Sequence, residues 1–137
     1  MKRVFLVVIA IAVIAFAPHL GAAVIGTADE EVRAIAQPIL DDVLSGFAEN
    51  DYTIFSRDFD QSMKQGLSEE KFIKTDRQLE NSIGNCVNRK YLGFLSQTNA
   101  TETLWKARFD KSDADVLIRL IISKKQNRYL VTGLWFQ

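Results

Sequence analysis

The 137-residue chain has little cysteine and little histidine, the residues on which disulfide scaffolds and many hydrolytic active sites are built. Its single cysteine, Cys86, excludes an intramolecular disulfide, and the thiol is either buried and inert or reactive and intermolecular. Its single histidine, His19, lies just after an N-terminal apolar run. We therefore expect the working domain to lack the imidazole of Ser-His-Asp, Cys-His and His-based metal sites.

Net charge is also absent, because 17 Lys and Arg balance 17 Asp and Glu. This balance argues against nucleic-acid binding, and the length is that of one domain. The charges are nevertheless unevenly distributed. Residues 29–83 carry 13 acidic and 6 basic side chains, whereas residues 84–137 carry 4 acidic and 9 basic ones. Either both halves are ordinary solvated surfaces, or the basic sheet half meets an anionic partner or the acidic helices of a second copy.

The N-terminus has the layout of a secretory signal peptide. Lys2 and Arg3 precede an unbroken apolar run at residues 4–17 and a small-residue stretch at residues 21–23. The run is short for a bilayer of about 30 Å. We therefore expect an exported protein, either periplasmic or secreted.

Two cleavage positions fit this layout. Cleavage after Ala23 makes residues 1–23 the signal peptide, and a second candidate position follows Ala28. Residues 29–137 are then predicted to form a single domain. The alternative is an uncleaved anchor formed by residues 4–25, which is the only arrangement in which we expect contact with a membrane.

Hydrophobic periodicity predicts helices in the first half of the domain. Apolar residues recur with helical spacing from Asp29 to about Asn50, where Pro38 should cause a kink or a restart. Asp60 and Ser68 are predicted N-caps of later helices. The predicted helices span residues 29–50, 52–56, 60–65 and 68–83, and Gly84 ends the last one.

After Gly84 the apolar period falls to two. The predicted strands span residues 86–97, 101–109, 115–123 and 128–136. Short polar links favour antiparallel neighbours. The predicted fold is therefore α+β, with N-terminal helices packed on a curved four-stranded antiparallel meander sheet. The fully apolar set of alternate strand residues should face the helices.

The opposite face of the predicted sheet mixes apolar and basic side chains, which is typical of a contact surface. We expect this face to contact a second copy of the chain or another partner. The predicted interface residues are Leu104, Lys106, Arg108, Leu117, Arg119 and Ile121.

A curved sheet over helices can also leave a cavity that aromatic side chains line with their polar tips. The predicted ligand-binding residues are Tyr52, Asp60, Tyr91, Trp105 and Tyr129. This pattern favours an exported non-enzymatic domain that binds a small molecule or a protein partner. The alternative is an isomerase-like or hydrolase-like pocket enzyme that uses a buried Asp/Tyr pair such as Asp60 with Tyr52. No residue set matches a catalytic, cofactor or metal motif, so we predict none of these.

Four segments carry a family resemblance in their order and spacing. They are Glu-Asn-Asp-Tyr at residues 49–52, Phe-Asp-Gln-Ser-Met-Lys at 59–64, the predicted helix at 68–83 closed by Gly84, and Leu-Val-Thr-Gly-Leu at 130–134. From about Ile35 to Phe136 the chain resembles the domain-of-unknown-function family 3887, in the nuclear-transport-factor-two-like superfamily of cystatin-like folds.

The resemblance implies a helix-covered curved sheet with a pocket, often dimeric through the open sheet face. Relatives in the superfamily include isomerases and dehydratases as well as non-enzymatic binding domains, so the fold alone assigns no activity. The enzymes commonly place Asp, His or Tyr in the pocket. Asp76 stands where similar domains often have Trp, which predicts a different packing of this helix.

Overall fold

A computed structural model describes residues 21–137, and the predicted signal segment up to residue 20, with His19, lies outside the described residues. The helices are α1 (Asp29–Glu49), α2 (Tyr52–Phe55), α3 (Gln61–Gly66) and α4 (Glu69–Ser82), and the strands are β1 (Cys86–Ser96), β2 (Thr101–Phe109), β3 (Val116–Lys125) and β4 (Arg128–Phe136). The strands form one antiparallel sheet in the order β1-β2-β3-β4. This confirms the predicted α+β fold and its meander. Among residues 21–137, no helix has the length and apolar character needed to cross a membrane.

The main core lies between α1 and the inner face of the sheet. Val32, Ala36 and Leu40, spaced one helical turn apart on α1, are 0% exposed. They meet alternate buried residues of β2 and β3, namely Trp105, Ala107, Phe109, Val116, Ile118, Leu120 and Ile122. The prediction that this apolar set faces the helices is confirmed. α1 runs without interruption through Pro38, so the predicted restart does not occur.

Aromatic rings fill the interior where the end of α1 meets α2, α4 and β4. The ring centroid of Phe47 lies 4.6 Å from that of Phe55 and 5.6 Å from those of Phe72 and Phe136. Tyr52 packs on Phe72 at 5.6 Å. This end of the domain is therefore a packed aromatic core.

Gly46 allows α2 to pack directly against α1. A Cβ atom at this position would lie 2.5 Å from the Cβ and 2.6 Å from the Cα of Phe55. The Gly46 carbonyl also accepts a hydrogen bond of 2.8 Å from the Asp51 amide at the turn between the two helices. Since backbone atoms block the space, a neighbouring side chain cannot relieve the clash by rotating.

We expect Gly46→Ala to destabilise the domain by about 1–3 kcal/mol, because the added methyl group forces α2 away from α1. Gly66→Ala is the matched control, since position 66 is also helical and has no atom within 4 Å of the added Cβ. The control should be neutral or gain about 0.5–1 kcal/mol. Urea unfolding measures both variants, and equal stability of the two would contradict the packing argument.

Candidate functional site

A groove separates one side of α1 from the edge strand β1. Arg33, Gln37, Asp41 and Ser45 follow one another at intervals of four residues, so they share this side of the helix. The groove consists of two adjoining cavities of about 470 and 310 Å³ that share Arg89 in their lining. We call this feature the α1–β1 groove.

A β-bulge determines which β1 side chains face the groove. The pairing register with β2 shifts between Cys86 and Asn88. As a result Arg89 and Tyr91 stand opposite buried residues of β2 and share their side of the sheet. Without the extra residue, Asn88 and Lys90 would face the helix instead. The bulge therefore gives the groove its guanidinium group and its phenol.

Two aromatic side chains form the apolar part of the larger cavity. Trp105 is 2% exposed and its Nε1 donates a hydrogen bond of 2.9 Å to the Thr103 hydroxyl. Its ring centroid lies 5.1 Å from that of Tyr91, in an edge-to-face arrangement. The Tyr91 hydroxyl donates to the Asp29 carboxylate at 2.9 Å. Burial and this hydrogen bond raise the pKa of Tyr91 to about 12, so the phenol keeps its proton near neutral pH.

Arg89 spans the groove between its two cavities. Its Nη2 donates to the Asp41 carboxylate on α1, which fixes the guanidinium group across the opening. Its Nε is buried and has no hydrogen-bond partner among residues 21–137. A buried N–H without an acceptor costs about 1–3 kcal/mol. Because the Nε atom is buried, an oxygen atom from water or from a ligand reaches this donor only when the surrounding side chains move.

The larger cavity is rich in positive charge. Arg33 lines it together with Arg89 and is exposed, whereas the Lys90 side chain, opposite Lys106 of β2, lies on the other side of the sheet. Within the described part of the chain, Arg33 forms no ion pair. The nearest engaged carboxylates, Asp29 and Asp41, are already held by Tyr91 and Arg89. Unpaired cations around a concave surface attract anions.

The second cavity contains the lone thiol. Cys86 is half-buried, and its Sγ donates to the Asn88 carbonyl at 3.4 Å. Burial raises the pKa of the Cys86 thiol. A protonated thiol is a poor nucleophile, so this environment favours the inert interpretation over the reactive one.

The structure brings together two of the five predicted ligand-binding residues. Tyr91 and Trp105 both line the α1–β1 groove. Tyr129 lies on the other side of α1, in a surface depression next to Pro38 and Arg128. The predicted aromatic site is thus divided between two sides of the helix.

The remaining two predicted residues lie among the shorter helices, where their polar atoms have structural partners. The Tyr52 hydroxyl donates to the Leu67 carbonyl at 2.7 Å. Asp60 accepts from the Met63 amide at 2.8 Å, as an N-cap should, and pairs with Lys125 at 3.3 Å. Neither group is available to act on a substrate in this arrangement.

The six predicted interface residues lie together on the outer face of the sheet, which points away from the helices. Two of them, Arg108 and Arg119, form ion pairs, and Arg108 pairs with Asp115 at 3.5 Å. Arg119 pairs with the buried Glu102 and stacks over the Trp135 ring at 5.2 Å. Lys106 stands directly opposite Lys90 on β1, and like charges in opposed positions are destabilising. The outer face is therefore a coherent apolar and basic surface.

The comparisons with known proteins return no relatives, since no protein-family model, no curated protein and no solved structure matches the chain. The resemblance to family 3887 therefore stays a prediction. In the described part of the chain, no group of three or more His, Cys, Asp or Glu side chains is placed to hold a metal ion. The candidate site has to be judged by its own geometry.

Asp76 is an ionisable group buried away from the groove. It is 7% exposed on α4, next to Phe47 and Phe109. Burial, with a smaller contribution from Glu80, raises the pKa of Asp76 above its usual range. Its ionisation in the folded state therefore costs stability. The cost is absent at a pH below the pKa of Asp76 in the unfolded chain. It is complete at a pH above the raised pKa of Asp76 in the folded chain.

We expect Asp76→Asn to be more stable than the wild type near pH 7, by about 1 kcal/mol, because the variant buries no charge. Near pH 3 the advantage should disappear, since both side chains are then neutral. Urea unfolding at the two pH values measures the difference. Asp113→Asn, in an exposed turn, serves as the control and should change little. An equal gain in stability at both pH values would show that the buried Asp76 charge is not its cause.

Proposed function

We propose that this chain is an exported, non-enzymatic binding domain whose α1–β1 groove holds a small anionic molecule. The observation that carries the proposal is the position of Arg89. Its buried Nε lacks an acceptor, and its guanidinium group lies where the two cavities meet. Arg33 adds a further cation to the same cavity.

The size and lining of the groove support a small ligand. The larger cavity of about 470 Å³ falls within the range of about 300–1,000 Å³ that is common for small-molecule sites. A carboxylate or phosphate group would be recognised by the guanidinium groups, which suit planar oxygen pairs. Trp105 and Tyr91 offer an apolar wall for the rest of the molecule.

The groove supports binding better than catalysis. General acid–base catalysis requires a group that titrates near the working pH. Tyr91, with a pKa of about 12, holds its proton too tightly. Asp29 and Asp41 are held by Tyr91 and Arg89 respectively. Positive charge, by contrast, is available for a bound anion.

Calorimetric titration with sodium benzoate and with inorganic phosphate tests this function. We expect one or both anions to bind, with an affinity that falls as salt is added. Arg33→Gln and Arg89→Gln should each weaken binding about tenfold, since each removes a charged contact worth about 1.4 kcal/mol.

The matched control for this titration is Arg57→Gln. Arg57 is also an exposed arginine, and it pairs with Asp42 at 3.1 Å outside the groove. Its replacement should leave the affinity unchanged. Failure of both anions to bind, or an equal loss in all three variants, would contradict a site in the groove.

Self-association through the outer face is a second candidate function. It is favoured by the grouping of Leu104, Leu117 and Ile121, together with exposed Leu95 and Trp135, on one side of the sheet. Contiguous apolar surface of this kind commonly marks an interface between protein chains. The interface would be isologous, with the same patch used by both copies.

The opposed lysines predict how this association responds to salt. Lys90 and Lys106 of two facing sheets would repel, so the dimer fraction should rise between about 50 mM and about 500 mM salt as the charges are screened. Leu104→Asp should abolish the dimer, whereas Ile73→Asp, at an exposed position on α4, should not. Sedimentation equilibrium measures this, and a monomer at both salt concentrations would contradict it.

A further inference from the structure

The residues that precede α1 form part of the packed domain. Residues 22–27 lie against the end of the sheet that carries the β1–β2 and β3–β4 turns, and we call them the N-terminal strap. Ala23 exchanges two backbone hydrogen bonds with Lys124, each of 2.9 Å. The Ile25 amide donates to the Thr101 hydroxyl at 3.0 Å. The Ile25 side chain is 4% exposed and belongs to the core.

Burial along the strap changes sharply between the two candidate cleavage positions. Gly21 and Ala23 are exposed, Val24 is half-buried, and Ile25 is buried. The core therefore begins at Ile25, ahead of residue 29, where the sequence places the start of the domain. An uncleaved anchor that included Ile25 would have to withdraw this side chain from the core.

The two cleavage positions have different consequences for the fold. Cleavage after Ala23 removes the two backbone hydrogen bonds between Ala23 and Lys124 but keeps the buried Ile25 side chain and the Ile25 hydrogen bond to Thr101. Cleavage after Ala28 removes a buried isoleucine, the donor to Thr101, and the Ala28 carbonyl that accepts from Val32 at 3.0 Å in the first turn of α1. Loss of a buried aliphatic side chain is one of the more destabilising truncations.

We propose that the Ala23–Val24 peptide bond is the processing site, an inference that rests on the proposed export of the chain. Water adds to the Ala23 carbonyl carbon and the C–N bond breaks, which leaves a carboxylate on Ala23 and a free amino group on Val24. A leader peptidase catalyses this hydrolysis. The mature chain then begins at Val24, directly before the buried Ile25.

The packing of the strap also determines whether cleavage or folding comes first. A peptidase commonly holds its substrate extended through backbone hydrogen bonds. In the folded domain both backbone groups of Ala23 are already bonded to Lys124. Cleavage therefore occurs before Ala23 can pair with Lys124, and a chain that forms this pairing first keeps its N-terminal segment.

The mass of the mature protein tests the site. The 137-residue chain is expressed from Met1 without an added tag, the exported fraction is purified, and its intact mass is measured. We expect the mass of residues 24–137. A mass that corresponds to a start at Asp29, at Met1 or at any other residue would overturn the assignment. Calorimetry of the α1–β1 groove is independent of this result, so failure here leaves the proposed function standing.

A comparison of truncated chains tests the physical reason for the site. A chain that begins at Val24 lacks the two Ala23–Lys124 backbone hydrogen bonds, so its urea midpoint should lie only slightly below that of a chain that begins at Gly21. A chain that begins at Asp29 should unfold at a midpoint lower by about 1–2 M, or fail to fold. Equal midpoints for the starts at Val24 and Asp29 would overturn the argument from burial.

The order of events is tested with leader peptidase and the folded, uncleaved full-length chain in detergent. Ile25→Asp, which keeps the strap from packing, should be cleaved at least tenfold faster than the wild type. Ile73→Asp on α4 is the control, since its side chain is 39% exposed, and it should be cleaved at the wild-type rate. Equal rates for all three chains would overturn the proposed order.

Discussion

The rest of the structure depends on the packing of α1 across the inner face of the sheet. A single buried stripe, which includes Val32, Ala36 and Leu40, fixes both the position and the rotation of the helix. That rotation places the row of Arg33, Gln37 and Asp41 beside β1. The hydrophobic core thus determines where the polar groove lies, even though the groove contributes little to the core.

The chemistry of the groove is set by the irregularity of β1. An edge strand needs protection from pairing with other chains, and bulges provide it by interrupting the ladder. Here the bulge between Cys86 and Asn88 also turns Arg89 inward. The guanidinium group meets Asp41 on the helix and leaves its Nε without a partner in the described residues. The bulge therefore interrupts the exposed edge of the sheet and also places the Arg89 guanidinium group in the groove.

Most of the fold could be predicted from the sequence, because its signals are local. The alternation of β2 and β3 identified their inner faces, and the N-caps Asp60 and Ser68 begin helices as expected. The site was less predictable. Arg33 and Gln37 are separated by one helical turn beside the buried stripe, so their spacing in the sequence already indicates that they share one side of α1.

Two other parts of the site depend on features that periodicity does not encode. Arg89 faces the helix only because an extra residue shifts the register, and alternation counted from Cys86 selects the wrong side chains. The sequence suggested Tyr52 and Asp60 as an acid–base pair. In the structure the Tyr52 hydroxyl donates to the Leu67 carbonyl, and Asp60 forms an ion pair with Lys125. Tertiary contacts, rather than local sequence pattern, determine which polar groups remain available.

We propose that the unpaired Arg89 donor belongs to an anion site, and NMR of the Arg89 side chain can observe an anion bound there. Inorganic phosphate is titrated into ¹⁵N-labelled protein while the Arg89 Nε–H resonance and the backbone amides of residues 88–91 are followed. These resonances should shift together and saturate, while the indole resonance of Trp135 on the outer face stays in place. Resonances of the groove that do not move, or shifts confined to the outer face, would contradict it.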